Sequence, residues 1–329
     1  MSANAKFAIG TFERDGRPAA CLVRDGRAFE LDRHLGAGTT VRRLVDDWES
    51  SLPLLQRLAD ALADDDADDE LEGLRPLPPL QPCGQIFQAG ANYRQHVLDL
   101  ITGAEERSDA SDGFNPEIRE QQRRVLDERA RTGRPFVFQG SVHAIVGAAD
   151  EIVLPPEHTQ YDWEVELGVV IGRRARRVSR QRAWEVVAGY VVCNDVTTRD
   201  ALSRPDIPGG IDWLAAKNSP TFLPVGPLLV PASHVDDPMR LKMTLSVNGR
   251  LMQDGTTADM LFDVPRLIEH VSHLSELHPG DLLLTGSPAG NGAFYGVFLA
   301  PGDVVEASID GLGRQRNVCV AEHVAAESR

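Results

Sequence analysis

The chain has 329 residues, a formal net charge of −15 at pH 7, 42% hydrophobic and 25% charged residues. That length supports a sizeable core and suits a small domain joined to a larger one, and the composition is too apolar for a disordered chain. The acid excess removes nucleic acid from the candidate partners, because such binding draws on basic patches that displace counterions from phosphates. The same field repels anions, so a pocket for an acidic small molecule needs a local cation.

Cys21, Cys83, Cys193 and Cys319 are widely spaced and form no CxxC pair, which fits a reduced, cytoplasmic protein and neither a disulfide framework nor a zinc site. Residues 1–7 lack a long apolar run and no stretch of about 18 apolar residues occurs, so neither a signal peptide nor a membrane span is expected.

In chain order, residues 5–32 read as short strands joined by Asp15-Gly16 and Asp25-Gly26 hairpin turns. Leu44, Trp48, Leu52, Leu55, Leu58 and Leu62 predict one or two helices across residues 41–63, interrupted at Pro53. The acidic run Asp64 to Glu72 reads as a solvated loop. Pro76, Pro78, Pro79 and Pro82 then mark a boundary, giving a small N-terminal domain over residues 1–78 and a larger one over 79–329. Beyond it, residues 85–89 read as a buried strand and 92–100 as a short helix. Residues 105–133 are charge-rich with a helical middle and read as a lid or surface insertion. Strand signals dominate at 136–138, 164–171, 189–193 and 241–247, the last entering an Asn248-Gly249 turn. An amphipathic helix is expected from about Val264, with Leu267, Ile268, Val271 and Leu274 on its apolar face.

The chemistry-bearing residues fall in five places. In Asp162-Trp163-Glu164-Val165-Glu166, strand alternation puts three carboxylates on one face, which requires either water or a hard divalent cation to offset their repulsion. Asp195 follows the next apolar strand, where it either caps a helix starting at Val196 and pairs with Arg199 or joins a cation site. His96 and Asp99, three apart, share a helix face as a base and its orienting acid, or as a surface pair. Lys217 is one of few lysines and carries little meaning alone. The run Leu282 to Gly292 is a buried strand opening into a glycine-rich turn able to hold a carboxylate; it lacks the GxGxxG of a dinucleotide site.

Taken together and in order, Asn92 to Asp99, Glu164 to Glu166, Asn194 to Asp200, Lys217, Thr285 to Gly290 and Pro301-Gly302-Asp303 resemble the motifs of the fumarylacetoacetate hydrolase family, with its acylpyruvase and oxaloacetate decarboxylase relatives. The resemblance runs from about Gln85 to Val320. It implies an α+β protein: a β-rich fumarylacetoacetase-like C-terminal domain of layered mixed sheets or a β-roll, behind a small α+β N-terminal domain. It further implies a divalent metal, magnesium or manganese with calcium admissible, on Glu164, Glu166 and Asp195. His96 with Asp99 would activate water, Lys217 would stabilise developing charge, and Tyr93, Arg199, Gly286 and Ser287 would contact a small oxo-acid substrate. A homodimer is the usual assembly. The expected activity is hydrolysis of a carbon–carbon bond in a 2-oxo or 1,3-dicarbonyl acid in aromatic or sugar-acid catabolism. A lyase of the same site, decarboxylase, hydratase or isomerase, and a noncatalytic metal and oxo-acid binding protein are the alternatives. The run Phe138-Gln139-Gly140-Ser141-Val142-His143 lacks the lysine the family often carries there, which favours a larger, less charged substrate.

Overall fold

The computed structural model describes residues 6–63, 66–106 and 116–323. Strands Ala8–Arg14, Arg17–Arg24 and Arg27–Glu30 pair antiparallel in succession. Their turns are the expected ones, with Asp15, Gly16, Asp25 and Gly26 all at positive φ. Helices Val41–Asp46 and Trp48–Ala61 follow, and the break falls at Asp47 rather than at Pro53. Pro53 sits inside the second helix, where Trp48, Leu55 and Ala59 are buried together with Leu22 and Phe29 of the meander. The loss of one helical hydrogen bond at the proline is outweighed by that packing.

The acidic run also departs from its reading as a solvated loop. Asp69–Glu70 forms a short strand against Arg27 and Ala28. Asp68 accepts a hydrogen bond from the Glu30 amide at 2.7 Å and pairs with Arg33, while Asp69 pairs with Arg14 at 2.6 Å. Arg14 of the meander and Arg33 just after it offset the carboxylate repulsion that made the run read as a solvated loop. Asp64 and Asp65 lie outside the described residues.

The meander edges an eleven-stranded mixed sheet: Ala8–Arg14 pairs with Leu228–Pro231, and the order continues through Val187–Asn194, Val165–Ile171, Leu282–Leu284, Ile86–Gly90 and Phe136–Gly140. A second sheet of five strands runs Arg250–Thr256, Lys242–Val247, Val304–Ile309, Gly313–Ala321 and Ile152–Leu154. Every residue of Val165–Ile171 and Val187–Asn194 is buried, which is why both are apolar runs broken only at Glu166 and Asn194. Alternation along the first of them separates two cores. Val165, Leu167, Val169 and Ile171 pack with Met243, Leu245 and Val305 of the second sheet, whereas Val170 packs with Leu55, Leu229 and other residues of the opposite side. Glu166 lies on the Val170 face by the same count.

Helix Val264–Leu274, whose first turn is capped by the Asp263 side chain accepting from the Arg266 amide, buries Leu267, Ile268 and Val271, whereas Leu274, expected on the same face, is exposed at the last turn. Within residues 105–133, the helix Pro116–Thr132 buries Leu126 and is tied down by Arg129, which donates to the Ala91 carbonyl at 2.7 Å. Among the described residues no helix is long and apolar enough to cross a membrane.

Candidate metal centre

Glu164, Glu166 and Asp195 converge because two neighbouring strands are locked in register. Val165 faces Asn194 and Glu166 faces Cys193. Just beyond, the Asp195 amide donates to the Glu164 carbonyl and the Glu164 amide to the Asn194 side chain, each at 2.9 Å. Residues some 30 apart in sequence therefore share one spot, and their carboxylate oxygens lie within 4.8 Å of one another. No helix starts at Val196: Thr197–Thr198 is a short strand, and the helix begins at Arg199. Arg199 pairs not with Asp195 but with Asp162 at 2.8 Å and Glu164 at 2.5 Å.

Each carboxylate has a distinct setting. The Lys217 ammonium lies between Glu164 at 2.6 Å and Asp195 at 2.7 Å, and also donates to the Asp195 carbonyl. Gln88 donates to the other Asp195 oxygen at 2.7 Å. Glu166 accepts the Gly286 amide at 2.7 Å. Gly286 holds φ at +93°, and a Cβ there would lie 3.0 Å from that of Asn92, so the turn that delivers this amide requires glycine.

The charges follow from that geometry. Burial alone would raise Glu164, but Lys217, Arg199 and His96 outweigh it and hold its carboxyl below the usual range. Burial, with the neighbouring Asp195 and Glu164, pushes Glu166 well above that range, and burial pushes Asp195 up to about 6 against the pull of Lys217. Positive charge is therefore what the Glu166 position favours. Three buried carboxylates and no sulfur or imidazole in the cluster form a hard oxygen donor set, of the kind magnesium or manganese takes, and such a metal fits them. A dication held there would relieve the repulsion among them.

The cluster forms the floor of a cavity of about 130 Å³, also lined by His96, Arg199, Lys217, Ser287, Phe138, Trp213 and Leu100. His96 is buried in the first turn of helix Arg94–Glu106, and burial pushes its pKa down to about 4, against the pull of Glu164. It is thus a neutral imidazole at pH 7, the protonation state of a base. Among the described residues lining the cavity there is neither Asp99 nor Tyr93. Asp99 accepts from Gln95 at 2.5 Å and from Arg119 at 3.5 Å. Tyr93 is fully buried, its hydroxyl donating to the Met243 sulfur, so its expected contact with substrate is replaced by a core role. Gly286 acts through its amide on Glu166 rather than on the cavity. Ser287 does face the cavity, and Gln253 donates to its hydroxyl at 2.8 Å.

Sequence reasoning passed over Gln88 and Asn291 as site residues, and it grouped Asp162 with Glu164 and Glu166, whereas the converging carboxylates are Glu164, Glu166 and Asp195. Asp162 is fully buried and accepts from the Trp163, Gly292 and Ala293 amides as well as from Arg199. Asn291 donates to the Trp163 carbonyl and reaches Glu164. The available signal was polarity inside otherwise apolar runs. An Asp162→Asn variant is expected to lose at least about 1.5 kcal/mol of stability, since one amide cannot replace a carboxylate that accepts four hydrogen bonds. Urea denaturation measures this.

A mixed-sheet fold with three buried, converging carboxylates that could hold a cation, beside the His96 imidazole, defines a candidate metal centre of the carboxylate class. Residues 85–320 match the model of the fumarylacetoacetate (FAA) hydrolase C-terminal domain, and the chain belongs to that family. A 2,4-didehydro-3-deoxy-L-rhamnonate hydrolase of Sphingomonas sp. (strain SKA58) is 45% identical over 241 residues, 72% of this chain and 74% of the relative. The mitochondrial oxaloacetate tautomerase FAHD2B of Bos taurus is 45% identical over 182 residues, 54% of this chain and 57% of the relative, so the match spans little more than half of that protein. The structure of a fumarylacetoacetate hydrolase from Exiguobacterium antarcticum superposes with a TM-score of 0.73 at 27% identity, covering 96% of this chain and 100% of that one. Hydrolase and tautomerase thus both occur among the relatives.

Proposed function

We propose that the chain is a divalent-metal-dependent hydrolase that cleaves a carbon–carbon bond in a small 2-oxo or 1,3-dicarbonyl acid. The observation that carries this reading is a buried His96 lining the same cavity as Glu164, Glu166 and Asp195. Those three carboxylates would hold magnesium or manganese, which when bound supplies Lewis-acid polarisation of the substrate oxygens. His96 takes a proton from a water molecule that attacks the distal carbonyl, and its neutral state leaves it free to do so at pH 7. Lys217 stays paired with Glu164 and Asp195, and from there adds to the positive field near the carbanion character that develops as the bond breaks. Ser287, held by Gln253, presents its hydroxyl to the substrate carboxylate. The hydrolase relative, matched over most of both chains, supports hydrolysis. We extend the proposal to a homodimer in a reducing compartment, the assembly usual in the family and the setting that four free cysteines fit.

The tautomerase relative favours a second reading, in which His96 moves a proton between carbon and oxygen and no water attacks. Product analysis of acylpyruvates, oxaloacetate and diketo sugar acids with magnesium or manganese separates the two. Cleaved acid pairs support the hydrolase, and isomerised or decarboxylated products overturn it. His96→Asn is expected to lower kcat by about 10²- to 10⁴-fold, the range of a lost general base, with metal affinity unchanged by calorimetry. An unaltered kcat would remove His96 from the mechanism.

A further inference from the structure

The cavity has two unlike sides. Its floor is ionic, and both cations on it are engaged: Arg199 holds Asp162 and Glu164, and Lys217 holds Glu164 and Asp195. Apart from His96 and Ser287, the larger side chains of the rest are apolar and drawn from four separate elements. Leu100 comes from the helix Arg94–Glu106, Leu202 from the short helix Arg199–Leu202, Phe138 from the sheet-edge strand and Trp213 from the turn of helix that also carries Lys217. Phe138 and Trp213 stack with ring centroids 4.3 Å apart and planes 17° from parallel, making a flat wall.

We propose that this wall reads the end of the substrate remote from its oxo-acid head, and that this end is uncharged and apolar: an alkyl or aryl group on a monoanion, not a second carboxylate. The inference rests on the oxo-acid reading of the site. A second carboxylate placed against Phe138 and Trp213 would lose its hydration and find the cavity's arginine and lysine already paired. An alkyl or aryl end instead covers apolar surface and displaces water from it. Phe138, Trp213, Leu100 and Leu202 are thus specificity-determining residues.

The test uses matched acids that lack the bond to be cleaved, so that binding is read apart from turnover. Magnesium-loaded protein is titrated calorimetrically with pyruvate, 2-oxoheptanoate and 2-oxoheptanedioate. The monoacid is expected to bind at least about tenfold more tightly than the diacid of equal length, a discrimination within reach of a hydrophobic pocket. Trp213→Ala should collapse that ratio toward one, and Leu202→Lys should shift it toward the diacid. If pyruvate fails to bind, the oxo-acid reading falls and this inference with it. Where pyruvate binds but the diacid binds as well as the monoacid, the inference alone is overturned.

Discussion

Replacing Asp195 by asparagine should abolish metal-dependent turnover while leaving the protein folded. Asp195 supplies one of three converging carboxylates, and its carboxyl is already pushed up to about 6 by burial and by Glu164, so losing its charge relieves repulsion in the metal-free protein. Lys217 keeps its partner Glu164 at 2.6 Å, and no buried cation is orphaned. The cost falls on the metal. Removing one ligand should weaken magnesium or manganese binding by more than the roughly 10- to 100-fold typical of outer-shell changes. Turnover should fall by at least about 10³-fold, equivalent to about 4 kcal/mol of lost electrostatic stabilisation. Calorimetry with the metal alone, circular dichroism and an assay before and after EDTA read the three quantities. Full activity of the variant in EDTA would discard the metal-centre proposal.

The second large effect is expected at Lys217, and its sign depends on the metal. The ammonium is 3% exposed and sits between two buried carboxylates. Burial alone would lower its pKa, but Asp195, Glu164 and Glu166 outweigh that and raise it. Lys217→Met keeps the aliphatic stem and removes the charge. The metal-free variant is therefore expected to lose about 3–5 kcal/mol of stability, as buried ion pairs do when one partner is deleted. A dication would then replace the missing charge. Because metal binding to the folded state stabilises by mass action, the rise in Tm on adding magnesium should be larger in the variant than in the parent. A lysine distant from the metal would give equal shifts in both proteins, and thermal scans with and without magnesium distinguish the outcomes. The same scans bear on charge balance: a variant that binds magnesium less well than the parent would show that Lys217 assists the cation rather than competing with it.

Several features were legible in consecutive residues. Period-2 alternation sent Trp163, Val165 and Leu167 into the core, where all three are fully buried, and Glu164 and Glu166 meet in one cluster, while Asp162 is taken up by Arg199 and backbone amides instead. The Asp-Gly and Asn-Gly turns, the Val264 helix and the buried strands likewise follow from local pattern. Short-range reasoning failed where a residue's partner comes from afar. Arg199 was assigned to Asp195, four residues away, yet it reaches back to Asp162 and Glu164 across a strand pairing. Tyr93 sits in the motif that carries His96, but its place in that turn directs it into the core.

What the sequence by itself determined, then, is the set of donors and the face each strand presents, because side-chain alternation and turn chemistry depend only on neighbours along the chain. Only the tertiary structure decided that Asp195, Lys217 and His96 meet that face, that both cations are already paired, and that Phe138 stacks on Trp213. Those outcomes depend on strand register and on hydrogen bonds between residues tens of positions apart, which no local pattern specifies.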